Sequence, residues 1–168
     1  MPQIILKIDD KNDKVFEDEK IACYIINSEV EKNKIIEAVN TNKMVLAYGK
    51  DAELCCMKYN LDGIVATFDK AKPIKAQLRP LREKLKGKTL GIITPPCRHE
   101  IMLCGEVEPD FMVISVDNVE KNKDIVDWYN ELFLLPLALD FGNNFANAKT
   151  FNADFVIINA QNFENYSC

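Results

Sequence analysis

With a single histidine, His99, the chain cannot assemble a metal centre from imidazoles, and its thiols do not make up the deficit. No Cys-x-x-Cys pair occurs among Cys23, Cys55, Cys56, Cys97, Cys104 and Cys168, and Cys55 and Cys56 are adjacent. A zinc or thiol-based metal site is therefore not expected. Arginine is confined to Arg79, Arg82 and Arg98, and a net charge of -5 comes without blocks of like charge. That excludes the basic stripe a nucleic-acid binder needs. Long hydrophobic runs are missing too: the longest are strand-sized, far short of a membrane span. Met1-Pro2-Gln3-Ile4-Ile5-Leu6 lacks a basic region followed by an apolar core, so no secretory signal is expected. The thiols are then expected to be reduced, in the cytoplasm. Richness in Lys, Ile and Asn beside poverty in Arg and Gly suggests an AT-rich genome.

What is present is a 48% apolar chain of 168 residues, enough for one domain with a sizeable core. Short apolar runs recur: Gln3 to Ile8, Ile21 to Asn27, Lys43 to Tyr48, Leu61 to Thr67, Leu90 to Thr94, Phe111 to Val116, Leu135 to Phe141 and Asp154 to Ala160. Helical patterns separate most of them. Ser28-x-x-Glu31 reads as a capping box opening a helix with Val30, Ile35, Ile36 and Val39 on its apolar face. Asp51 caps a helix through Met57, with Leu54, Cys55 and Tyr59 facing inward. Ile74, Leu78, Leu81 and Leu85 stripe a helix that contains Pro80 and ends at Gly87. Cys97 to Val107 carries Ile101, Met102 and Cys104 on one side. Asp117 or Asn118 caps a helix striped by Ile125, Trp128, Tyr129 and Leu132. Asn143 opens a short helix with Phe145, Ala148 and Phe151.

Eight strands alternating with helices predict a parallel sheet with helical crossovers. Closure removes the two edges that an open eight-stranded sheet must protect. The pattern predicts a small (β/α)₈ TIM-type barrel as a single domain, with a flavodoxin-like open sheet as the alternative. Each unit has about 21 residues, since 168 are shared by eight, and such barrels usually need about 200 or more. Residues 9 to 20 are charged, with only Val15 and Phe16 apolar, so the first crossover helix is expected to be reduced or missing. Ile5 and Tyr24 would then be exposed on strands 1 and 2, and a second subunit is expected to cover them as a homodimer.

Several segments resemble one family. They are Gly91-Ile-Ile-Thr94, Arg98-His99-Glu100-Ile-Met102, Gly105-Glu106 with Asp110-Phe111, Trp128-Tyr-x-Glu131 through Pro136, Asn152-Ala-Asp154-Phe-Val156, and Asp62-Gly63. Together they are similar to the thiamine phosphate synthase/TenI family, over roughly residues 43 to 163. The resemblance implies a (β/α)₈ barrel. It also implies a reaction in which a hydroxymethylpyrimidine pyrophosphate is joined to a thiazole phosphate, with magnesium and basic groups stabilising the departing pyrophosphate.

The sequence departs from that family where the chemistry would lie. Tyr48-Gly49-Lys50 stands where an Asn-Asp-Arg type sequence is expected, and Asp69 is offset from the expected acidic ligand. Ser115-Val-Asp117-Asn-Val-Glu-Lys121 replaces the Gly-Pro-rich loop that ends in the catalytic lysine. Asp140-Phe141-Gly142 replaces Gly-Gly, and Asn159-Ala-Gln161-Asn162 replaces a small-residue phosphate loop. Asp140 would repel a phosphate. Ile25-Ile26-Asn27 replaces a basic strand end.

The catalytic residues are accordingly left unassigned, and the expected ligand-binding candidates are Lys50, Thr94, Ser115, Asp117, Asp140 and Asn159. Thr94 can contact a ligand or cap the next helix. Asp117 and Asp140 can bind a metal together, although a helix cap and a loop hydrogen bond are the simpler roles, so no metal and no cofactor are expected. His99 and Cys97 read as helix residues without a catalytic partner, and Trp128 as a packing residue. The first functional expectation is a barrel with a degenerate synthase site that binds a small molecule, such as a phosphorylated one, or a partner. The second is a working synthase rebuilt on Lys50, Thr94 and Lys121, with magnesium. The third is a structural or interaction module.

Overall fold

The computed structural model describes residues 2 to 167; Cys168 lies outside them. Eight parallel strands close on themselves in chain order: β1 (Gln3–Ile8), β2 (Ile21–Asn27), β3 (Met44–Tyr48), β4 (Gly63–Ala66), β5 (Thr89–Thr94), β6 (Phe111–Ser115), β7 (Leu137–Asp140) and β8 (Phe155–Asn159). Ring closure is made by β1 against β8, with Ile5 opposite Ile157 and Lys7 opposite Asn159. The helices are α1 (Lys32–Val39), α2 (Ala52–Lys58), α3 (Ile74–Lys84), α4 (Arg98–Gly105), α5 (Val119–Leu132) and α6 (Phe163–Ser167). A 3₁₀ helix at Phe145–Thr150 takes the place of a crossover between β7 and β8. The closed barrel is the expected one, and the open sheet is excluded.

Strand alternation divides the apolar side chains into two layers. Ile5, Cys23, Ile25, Leu46, Val65, Phe111, Val113, Ala138 and Ile157 pack together inside the barrel. Their odd-even neighbours, among them Leu6, Tyr24, Ile26, Ala47, Leu90, Ile92, Ile114 and Ile158, pack outward against the helices.

Three aspartates bracket the amino-terminal ends of the strands. Asp62 Oδ2 accepts from the Val45 amide at 2.8 Å, while its own amide donates to the Val45 carbonyl at 3.0 Å. Asp110 does the same with Leu90, at 2.7 and 2.8 Å, and Asp154 with Leu137, at 2.9 and 3.0 Å. Each aspartate directly precedes an even strand and holds the first amides of the odd strand before it. Lys20 occupies the corresponding place before β2.

Residues 9 to 20 contain no helix, as expected. The loop is held by Asp13, whose carboxylate accepts from the amides of Asp9 and Asp10 at 2.8 and 2.9 Å. The expected consequence is corrected. Ile5 lies inside the barrel, and Tyr24 is fully buried under the loop, its hydroxyl donating to the Phe16 carbonyl at 2.6 Å. Phe16 also packs on Phe163 of α6, with ring centroids 4.8 Å apart. The carboxyl-terminal segment, polar in sequence apart from Phe163 and Tyr166, thus supplies an aromatic cover where the crossover helix is absent. The apolar face that called for a second subunit is closed within one chain.

Smaller expectations also shift. Ser28 does not cap α1, which starts four residues later; its hydroxyl donates to the Lys50 carbonyl and ties the β2 loop to the β3 loop. Ile35 and Ala38 form the buried face of α1, while Ile36 and Val39 are exposed. Asp51 adopts a left-handed φ of 55° and caps nothing with its side chain, and Leu54 points to solvent. Met102 is exposed. On α5 the buried positions are Asn122, Val126 and Tyr129; of the expected stripe Tyr129 is buried, Ile125 and Trp128 pack partly buried against the core, and Leu132 is exposed. Tyr129 wins the interior because its ring stacks on Phe133 and its hydroxyl reaches the Leu135 carbonyl at 3.1 Å.

Candidate functional site

Barrels of this kind carry ligands at the carboxyl-terminal ends of the strands. One step beyond the inner apolar layer, the side chains facing that mouth are Lys7, Asn27, Tyr48, Ser115, Asp140 and Asn159, each two residues after a buried inner residue of its strand. Ile93 and Thr67 follow the same parity on β5 and β4.

The mouth has two unlike halves. On β1 to β3 the polar groups satisfy one another. Asp9 Oδ1 accepts from the Asn27 amide at 2.9 Å and from the Tyr48 hydroxyl, and the Lys7 ammonium sits 5.1 Å from the Tyr48 ring centre. Asn27 Oδ1 in turn accepts from the Glu29 amide at 2.9 Å. The Tyr48 hydrogen bond, seconded by Asn27 and by the Lys7 charge, holds the Asp9 carboxyl below its ordinary value against the effect of burial. Burial, then the Asp9 hydrogen bond, pushes the Tyr48 phenol up, so it stays protonated and donating.

The other half runs over β6, β7, β8 and β1. Ser115 pairs in register with Asp140, and Lys7 with Asn159. All four side chains are half-buried. Among the described residues, the Lys7 ammonium, the Ser115 hydroxyl and the Asn159 amide make no hydrogen bond, and Asp140 uses Oδ1 to accept from the Gly142 amide at 2.9 Å. This arc offers donors and acceptors to a molecule entering the mouth.

Of the expected ligand contacts, the fold brings Ser115, Asp140 and Asn159 together and disperses the rest. Thr94 is corrected: its parity is that of Leu90 and Ile92, it faces the helix layer, fully buried, and its hydroxyl donates to the Pro95 carbonyl at 3.0 Å. Lys50 is exposed on the loop after β3. Asp117 is exposed on the loop after β6, and the α5 cap is Asn118, whose Oδ1 accepts from the Lys121 amide at 3.0 Å. Lys121 is exposed on α5, as is His99 on α4.

Lys7, whose ammonium faces the mouth in line with the inward Ile5, was not singled out by sequence, nor was Asp9. The signal was there: in Gln3-Ile-Ile-Leu-Lys7-Ile, Lys7 shares the parity of the inward Ile5 and ends the strand. The magnesium required by a working synthase finds no preformed carboxylate set. Asp9 is engaged by Tyr48 and Asn27, Asp140 by Gly142, and Asp117 stands on an exposed loop. Among the described residues no group of three or more His, Cys, Asp or Glu side chains converges to hold a metal ion.

No known protein family matches the sequence, and no curated protein does. Solved structures do match. A tryptophan synthase from M. tuberculosis superposes with a TM-score of 0.62 at 12% identity, covering 95% of this chain and 83% of that one. The orotidine 5'-monophosphate decarboxylase from Methanocaldococcus jannaschii gives 0.54 at 16% identity, over 98% and 92%. The chain is a TIM barrel. A protein from Aquifex aeolicus VF5 gives 0.57 at 16% identity, over 83% and 72%. At these identities the likeness is one of fold. Among the described residues, no helix of this barrel is long and apolar enough to cross a membrane.

The residues behind the thiamine phosphate synthase resemblance have structural tasks. A Cβ on Gly91 would lie 2.4 Å from Phe111 Cζ, and one on Gly105 2.8 Å from Phe133 Cε1. Arg98 lies over the Trp128 ring at 5.4 Å, and Trp128 meets Phe133 edge-on at 5.8 Å. Asp62, Asp110 and Asp154 are the strand brackets. None of these residues faces the carboxyl-terminal mouth.

The locked half of the mouth has a pH signature. Because the folded Asp9 carboxyl titrates below its ordinary value of 3.8, its contribution to stability is complete above that value and is lost as pH falls through the lower folded one. The urea midpoints of the parent and of Asp9→Ala are therefore expected to differ at neutral pH and converge on acidification to about pH 2. A gap that is unchanged over that range would contradict the network.

Proposed function

We propose that this TIM barrel binds a small polar molecule at its carboxyl-terminal mouth, on a scaffold of the thiamine phosphate synthase/TenI type, with synthase activity weak or absent. One observation carries the reading: the arc Ser115, Asp140, Asn159 and Lys7, half-buried and with unused hydrogen-bonding capacity. Their polar atoms stay accessible at the end of the core, where groups of a ligand can replace water as hydrogen-bond partners. Lys7 suits an anionic group of the ligand, a carboxylate or a phosphate, and Asp140 suits a hydrogen-bond donor on the same molecule. The loss of the family's basic strand end, its lysine loop and its glycine pair supports the weak-synthase part of the reading.

Titration calorimetry with thiamine phosphate, pyrophosphate and inorganic phosphate tests it. A ligand that binds is expected to lose about tenfold or more in affinity in Lys7→Met, which keeps the stem against Tyr48 but removes the charge. Formation of thiamine phosphate at about 1 per second or faster would overturn the weak-synthase reading. Absence of binding by all three, with no response of the Lys7 and Asn159 NMR signals, would favour the structural module.

A further inference from the structure

The opposite end of the barrel carries a second site. A pocket of about 250 Å³ opens at the amino-terminal mouth. Ile5 and Leu46, both buried, form its floor; Cys23, Met44, Phe111 and Phe155 form its walls. Its polar lining is confined to Thr89 and Asp110, and Asp110 is already neutralised by Arg82 at 3.0 Å and engaged by the Leu90 amide. Burial pushes the Cys23 thiol up to about 12, so it lines the wall as neutral sulfur.

TIM barrels fill their interior with layers of bulky side chains from alternate strands. Here β4 and β5 contribute glycines at inward positions: Gly63, where a Cβ would lie 1.8 Å from the Thr89 carbonyl oxygen, and Gly91, whose side-chain space holds the Phe111 ring. Both glycine spaces are thus filled, by the β5 backbone and by the Phe111 ring, and the pocket is the open end of the barrel above the Ile5 and Leu46 floor. An apolar cavity of about 150 Å³ is enough to take benzene, and this pocket is larger, at about 250 Å³.

We infer that the amino-terminal mouth is a binding site for a small aromatic molecule of one or two rings, separate from the polar site at the other end. Phe111 and Phe155 offer ring faces and edges to it. Met44, 42% exposed at the rim, is an adaptable thioether that such a ligand would bury. A macromolecular partner would find a concave pocket only one or two rings across, and a charged ligand would find no free counter-charge.

Indole and naphthalene are the probes, added to the full chain with methyl NMR of Ile5, Leu46 and Met44 as readout. Saturable shifts at these methyls are expected, unchanged in Lys7→Met. Thr89→Phe, which places a ring in the empty volume, is expected to weaken binding by about tenfold or more without loss of thermal stability. Should that variant fail to fold, Met44→Trp closes the rim from the β3 side and is expected to do the same. Ile5 and Leu46 methyls that stay unmoved up to the solubility limit would overturn the inference. So would unaltered binding in a folded blocking variant, or a concentration-dependent dimer that buries Met44.

Discussion

Gly63→Ala is expected to abolish cooperative folding, or to cost about 3 kcal/mol or more where folded protein can be recovered. The added Cβ would lie 1.8 Å from the Thr89 carbonyl oxygen, 2.6 Å from its carbon and 2.8 Å from its nitrogen. All three are backbone atoms of the neighbouring strand, so no side-chain rotamer relieves the overlap. Relief requires β4 to move away from β5, which breaks the register that pairs Ile64 with Leu90, Val65 with Gly91 and Ala66 with Ile92. A closed barrel transmits that displacement around the ring, because no edge is free to absorb it. Gly87→Ala is the control. Its φ is +85° and a Cβ there meets nothing within 4 Å, so it is expected to cost only about 1 kcal/mol of backbone strain. Urea unfolding followed by circular dichroism measures both. A Gly63→Ala protein as stable as Gly87→Ala would show that the β4–β5 approach is not as close as described.

Asp110→Ala is the second large effect, expected to destabilise by about 2 kcal/mol or more. The substitution leaves the Leu90 amide without its acceptor at the start of β5, and it removes the partner of Arg82. Arg82 keeps its bonds to the Leu85 and Lys88 carbonyls at 3.0 and 2.9 Å, so most of the loss comes from the orphaned amide. Asp110→Asn separates the two contributions. Its amide oxygen still accepts from Leu90, and the exposed ion pair it gives up is worth about 1 kcal/mol or less. Chemical denaturation of the pair should therefore rank the parent first, then Asn, then Ala. At Asp62 and Asp154, where the bracket has the same two hydrogen bonds without the Arg82 ion pair, Asn is expected to stay near the parent and Ala to fall below both. Equal stability of Asn and Ala at Asp110 would assign the effect to charge instead.

These aspartates and glycines are among the residues that carry the family resemblance, and their roles here are structural. Asp62, Gly91, Gly105, Asp110, Trp128 and Asp154 hold strand ends or helix contacts, and the bracket aspartates lie at the amino-terminal end, where barrels keep residues for stability and not for catalysis. In this chain the mouth residues Lys7, Asn27, Tyr48, Ser115, Asp140 and Asn159 do not form the family's basic and glycine-rich set.

The sequence alone determined the strand count and the absence of the first crossover helix, while closure of the ring in chain order was read from the structure. Alternating apolar runs and a charged stretch without a helical stripe are local signals, and no distant contact can cancel them. It also placed Ser115, Asp140 and Asn159 at strand ends. Tertiary structure decided which way side chains turned at positions where the pattern was silent. Thr94 faces the helices because the β5 register puts it in line with Ile92, whereas Lys7 enters the barrel in line with Ile5. The cover over β1 and β2 was also a tertiary outcome: Phe16 and Phe163, 147 positions apart in the chain, meet as tilted rings because closure brings β8 beside β1. Periodicity reports which residues are apolar, and the ring of hydrogen-bonded strands fixes which of two faces each one meets.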